Sequence, residues 1–164
     1  MSFGRTAWAT LILLEIPDRN LSGMPSRLRS MNHIELLRPD GLVVSPAFSH
    51  VAVIPPGATT IHVGGQNAVD GTGALLGGED VALQTRQVMA NLSTALAAAG
   101  ATLADLVSVT VLLVDGTDLG NAYGEAAAAL GDNPEPPLVT AAIVPGLGVQ
   151  GALVEVSAIA AVFR

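Results

Sequence analysis

The chain is 164 residues long, with 50% hydrophobic and 13% charged residues and a formal net charge of −7. That length fits one domain with one sizeable core, and the lack of cysteine excludes disulfides, thiol nucleophiles and Cys-ligated zinc. With 7 Lys+Arg against 14 Asp+Glu and a single Trp and Tyr, the chain offers neither a basic patch nor a stacking platform, so nucleic acid is not an expected partner.

Residues 1–30 differ from the rest. They hold Pro17, Gly23, Pro25 and the basic residues Arg5, Arg19, Arg27 and Arg29. They read as an extension that packs on the domain, or as residues upstream of a natural start at Met31; the domain itself is residues 31–164. Ala7–Leu14 is apolar but short and closed by Glu15, a weak signal-peptide pattern, and no run reaches the roughly 20 residues of a membrane helix. The expectation is a cytoplasmic protein with no membrane partner.

Regular patterning is clear from Ser49. SHVAVI reads as a strand, Pro55-Pro56-Gly57 as a turn, and TTIHVGGQ as a second strand ending on a glycine pair. Asp70-Gly71-Thr72-Gly73 marks a loop. Residues 80–99 follow a helical period, with Val81, Val88, Leu92 and Leu96 on or near one face, and Gly100 as a stop. Val107–Val114 is a buried-strand run. Residues 118–130 form a second, alanine-rich helix capped by Thr117 or Asp118. The loop NPEPP leads to strand Val139–Val144, Pro145-Gly146 turns the chain, and Ala152–Val162 is the last strand. The order β-β-α-β-α-β-β, with crossover helices on one face of a sheet, is an α+β architecture. So few charges leave much apolar surface to cover, which points to self-association.

IHVGGQNAVD, GGEDVALQTRQVMANLSTALAAAGATLADLVSVTVLLVD, PPLVTAAIVPGL and LVEVSAIA occur in that order. Together they resemble the motifs of the reactive intermediate deaminase (Rid, also called YjgF) family, over roughly residues 38–163. The resemblance implies a chorismate-mutase-like sheet with two helices on one face, and a homotrimer with a barrel-like core. Small metabolites would bind in clefts between subunits, without cofactor or metal. It also implies hydrolysis of reactive enamines and imines, such as 2-aminoacrylate, to 2-oxo acids and ammonia. An imine carbon is already electrophilic, so such a site must hold the substrate, aim a water and move a proton.

Carried over residue by residue, the pattern is altered. The family's carboxylate-clamping arginine falls at Val139, in Pro137-Leu138-Val139-Thr140, and valine offers neither charge nor donor. No Lys or Arg lies between Arg86 and Arg164 to replace it. Phe48 stands where a tyrosine is common, Gly64 where a serine precedes Gly-Gln, and Tyr123 where an asparagine faces the cleft. Gly65 and Thr140 complete the expected substrate-binding set. Glu155 is retained as the expected catalytic residue. It shares a strand face with Ser157, and either handles a water in the cleft or is a solvated carboxylate on an open face. Gly64-Gly65 reads as a backbone approach for ligand or as a plain bend. Gln84, Thr85 and Asn91 read as structural, and His33, His50 and His62 lack metal-site spacing.

Two readings follow. One is an enamine or imine hydrolase for a neutral, more apolar substrate; the other is a non-catalytic trimer binding a small ligand. An endoribonuclease, an activity attached to some members, is disfavoured by the acidic charge.

Overall fold

The computed structural model describes residues 31–164; the first thirty residues, with their four arginines and apolar stretch, lie outside the described part. A short pair comes first: β1 (Glu35–Leu37) runs antiparallel to β2 (Val51–Val53), apart from the main sheet. β3 (Ala58–Gln66) follows the Pro55-Pro56-Gly57 turn, where Gly57 takes φ +95°, a value side-chain-bearing residues rarely adopt.

Helix α1 (Val81–Ala98) starts at Asp80, whose carboxylate accepts from the Leu83 amide at 3.1 Å. Its end is a Schellman motif. Gly100 N–H donates to Ala97 O and Ala101 N–H to Leu96 O, both at 2.9 Å, and Gly100 takes φ +70°. Val81, Gln84, Thr85, Val88, Met89, Leu92 and Leu96, spaced three and four apart, make its buried stripe. A 3-10 turn (Leu103–Asp105) leads into β4 (Leu106–Val114). Helix α2 (Leu119–Leu130) is capped by Asp118, which accepts from the Asn121 amide at 3.1 Å, and ends at Gly131 with φ +65°. β5 (Leu138–Val144) and β6 (Val154–Phe163) complete the chain.

The main sheet has the order β3-β6-β4-β5. β6 is antiparallel to both β3 and β4, whereas β5 is parallel to β4, as a helical crossover through α2 requires. Both helices lie on one side of this mixed sheet, the expected α+β arrangement. The core sits between α1 and the sheet, where Val88, Leu92 and Leu96 meet Val109, Leu113, Val154, Val156, Ala158 and Ala160. Among the described residues no helix is long and apolar enough to cross a membrane.

Three differences from the sequence-based expectation exceed one residue, and in the first of them SHVAVI forms only the short strand Val51–Val53. β1 has only three residues and no strong periodicity, so nothing local announces it. Ala152 and Leu153, expected in the last strand, precede it instead. There the Leu153 amide donates to Gln84 Oε1 at 2.8 Å, a side-chain partner that substitutes for a ladder bond. Gln84 is fully buried, and its Nε2 also donates to Gly78 O at 2.6 Å and Gly151 O at 3.0 Å. One side chain thus joins the start of α1 to the turn before β6. Asn91 ties α1 to the loop after β3 through Asn67 O and Val69 O, both at 2.9 Å.

Candidate functional site

Strand register decides which residues can act together. Val109 pairs with Val139 and Ala158, Val111 with Ala141 and Val156, and Leu113 with Ile143 and Val154. Since Val154, Val156 and Ala158 are buried beneath the helices, Val139, Ala141 and Ile143 also face the helix layer. The opposite face of the sheet carries Thr110, paired with both Thr140 and Ser157, and beside them Leu112, paired with Ala142 and Glu155.

The open face therefore bears a row of three hydroxyls, Thr140, Thr110 and Ser157, next to the carboxylate of Glu155. Thr110 and Thr140 are exposed, and Glu155 and Ser157 are half-buried. The β3–β6 register shifts between Val63 and Gln66, at the Gly64-Gly65 pair. Glu155 lies directly against this bulge: a Cβ on Gly65 would stand 2.7 Å from its Cδ and 3.1 Å from its Cγ. The glycine is thus the space into which the carboxylate folds. Gln66 Nε2 donates to Gly64 O at 3.1 Å and closes the turn.

Behind the sheet the geometry is different. Helix α2 buries only Ala122 and leaves a cavity of about 760 Å³ between itself and strands β4 and β5. Val109, Val111, Leu113, Val139, Ala141 and Ile143 form the sheet wall, Ala122, Tyr123, Ala126, Ala127 and Leu130 the α2 wall, and Thr85 and Met89 the contribution of α1. Asp132 and Asn133 lie toward one end. Tyr123 is 62% exposed and Val139 40%, so both sit at the mouth. Phe48 is not part of the lining: its ring meets His50 edge-on at 5.4 Å, while its neighbours Pro46 and Ala47 line the cavity.

Phe48 apart, the expected site residues therefore divide into two groups within one subunit. Glu155, Gly64, Gly65 and Thr140 share the open face, whereas Val139 and Tyr123 border the cavity on the other side. Sequence reasoning missed the cavity and two buried hydroxyls that have no partner among the described residues, Ser49 Oγ and Thr85 Oγ1. The alanine run of α2 was the available signal, because side chains that short cannot reach the sheet.

Electrostatics around both groups are sparse. Of the described arginines, Arg38 donates to Pro134 O at 2.9 Å, Arg164 to Ala99 O, and Arg86 forms a two-pronged pair with Glu125 at 3.0 and 2.7 Å. None lines the cavity. The Arg86 hydrogen bond lowers the Glu125 carboxyl below its ordinary range and raises the Arg86 guanidinium. Among the described residues no three His, Asp or Glu are grouped to hold a metal.

Comparisons with known proteins agree with this fold. No curated protein matches the chain. The Rid-family protein YyfB of Yersinia pestis, of unknown function, superposes with a TM-score of 0.69 at 30% identity, over 79% of this chain and 98% of that one. Rv2704 of Mycobacterium tuberculosis, of the YjgF/YER057c/UK114 family, gives 0.54 at 30% identity over 70% and 86%. RidA of the Antarctic bacterium Psychrobacter sp. PAMC 21119 gives 0.57 at 28% identity over 71% and 94%. The family model described as endoribonuclease L-PSP matches residues 42–162, and with that match across most of the domain the chain belongs to the Rid/YjgF (endoribonuclease L-PSP) family.

Proposed function

We propose that this protein is a homotrimeric hydrolase of the enamine/imine deaminase type, acting on a neutral, largely apolar substrate without cofactor or metal. The observation that carries the reading is Glu155, the one carboxylate beside the hydroxyl row Thr110, Thr140 and Ser157, seated against the glycine bulge of β3. A carboxylate in that position accepts a proton from water as it adds to the imine carbon and passes it to nitrogen, then carries the hydroxyl proton of the resulting carbinolamine to the amino group as the C–N bond breaks, ammonia leaves and the carbonyl forms. The hydroxyls and the exposed backbone at Gly64-Gly65 orient water and substrate. Because Glu155 and Val139 lie on opposite faces of one sheet, a site that used both would need residues from two subunits.

Val139 supports the neutral substrate. A carboxylate placed there would lose hydration with no cation to replace it, at a cost of several kcal/mol. That same residue favours a second reading, a non-catalytic ligand-binding trimer. The test is imine hydrolysis followed by loss of semicarbazone, with the imine of a hydrophobic amine generated in place by an amine oxidase. Glu155→Gln is expected to lower the rate by roughly 10²–10⁴-fold; an unchanged rate returns Glu155 to a solvated surface carboxylate and favours the second reading.

A further inference from the structure

Charge is divided unevenly along this chain. Residues 1–30 hold Arg5, Arg19, Arg27 and Arg29 against Glu15 and Asp18. From totals of 7 Lys+Arg and 14 Asp+Glu, that leaves residues 31–164 with Arg38, Arg86 and Arg164 against twelve carboxylates. A basic segment is thus tethered to a strongly acidic domain, an arrangement that favours contact between them. The family match begins at residue 42 and so does not include this segment.

A small groove of about 180 Å³ lies where the segment joins the domain, between the start of β1 and the 3-10 turn before β4. Ile34, Leu36, Leu106 and Ala161 give it hydrocarbon, and Asp105 and Glu135 give it negative charge. Its volume is below the roughly 300–1,000 Å³ of small-molecule sites and suits a single long side chain. Asp105 uses Oδ2 to accept from the Thr102 amide at 2.8 Å and the Thr102 hydroxyl at 2.9 Å, which leaves Oδ1 for another donor. The domain's own cations are engaged elsewhere: Arg38 with Pro134 O, Arg86 with Glu125 and Arg164 with Ala99 O. Among the described residues neither Asp105 nor Glu135 has an ion pair.

We propose that this groove seats the segment Arg27–Arg29 of the same chain, with one guanidinium between the Asp105 and Glu135 carboxylates. Arginine fits both halves of the lining, since its methylene stem covers apolar surface while its planar head donates to carboxylates. Reach is sufficient: Arg29 and Arg27 precede Ile34 by five and seven residues, which span up to roughly 17–25 Å when extended. The inference is independent of the hydrolysis reading, which uses no residue of this groove.

Limited proteolysis of the full chain with trypsin tests the proposal. The chain has no lysine and Arg38 precedes a proline, so cleavage ahead of residue 86 can follow only Arg5, Arg19, Arg27 and Arg29. Rates are normalised to a synthetic peptide of residues 15–32, which gives the intrinsic rate at each of its arginines. Cleavage after Arg19 should match the peptide, whereas cleavage after Arg27 and Arg29 should be slower by roughly tenfold or more. Glu135→Gln should speed the protected cleavages about two- to fivefold, and 0.5 M NaCl should act in the same direction. Neither should alter cleavage after Arg19. Glu79→Gln, which removes an exposed carboxylate away from the groove, should leave all the rates as they are. Cleavage after Arg27 and Arg29 at the peptide rate would overturn the proposal, as would protection that Glu135→Gln leaves intact or that Glu79→Gln weakens equally.

Discussion

Glu155 and Gly65 form the smallest unit of the proposed site. Gly65 is not in the positive-φ region, so Gly65→Ala causes no backbone strain; its methyl would instead displace the Glu155 carboxylate. We predict a drop in hydrolysis comparable to Glu155→Gln with a change in stability below about 1 kcal/mol, read by paired activity and melting measurements. Gln84 should behave in the opposite way. Gln84→Leu strands Gly78 O, Gly151 O and the Leu153 amide, and should destabilise the fold by about 2–4 kcal/mol, checked by denaturant unfolding. The residue types were legible in the sequence, including the retained Glu155 and the missing cation at Val139. Their division between two sheet faces was not. It depends on strand register, and the alternation within β5 and β6 fixes no relation between the two strands until β4 lies between them.

Helices α1 and α2 were legible from the period of residues 80–99 and the alanine-rich run 118–130, with Gly100 as a stop and Thr117 or Asp118 as a cap; the structure selects Asp118 and adds the Asp80 cap and the Gly131 end. The strands rich in β-branched residues were equally plain. What escaped was packing quality. The pattern of α2 shows where its small residues fall but not the distance to the sheet, so the cavity appears only in three dimensions. Leu92 and Leu96 are fully buried on α1, and truncating either to alanine should cost about 2–5 kcal/mol. The α1–α2 pair Arg86–Glu125 is exposed and contributes little at neutral pH. Its pH dependence still has a definite sign. Because the folded Glu125 carboxyl is lowered, any stabilisation is complete above the ordinary carboxylate range and is lost as pH falls through the lowered folded value. Asp70, lowered chiefly by its hydrogen bond with Thr72, acts in the same direction. Thermal melts should therefore fall on the acid side of about pH 4, and Arg86→Gln should reduce that slope.

At the scale of the whole molecule, the sheet has one face covered by helices and one open. The open face mixes hydroxyls with Leu112, Leu138, Ala142 and Ile159, and only Glu155 among its β4, β5 and β6 residues is charged. A surface of that kind in a chain with 13% charged residues is suited to burial against copies of itself. Light scattering after gel filtration should give a trimer, and a monomer at micromolar concentration would contradict an interface site.

The most direct measurement compares two imines that differ only by a carboxylate, that of phenethylamine made by an amine oxidase and that of phenylalanine made by an amino-acid oxidase. Semicarbazone loss is followed for the wild type, Glu155→Gln and Val139→Arg. We predict that the wild type hydrolyses the phenethylamine imine and hardly accelerates the phenylalanine imine. Glu155→Gln should lose the activity, and Val139→Arg should shift preference toward the carboxylate-bearing substrate. A wild type that prefers the phenylalanine imine, or that hydrolyses either substrate undiminished by Glu155→Gln, would contradict a neutral-substrate site built on Glu155.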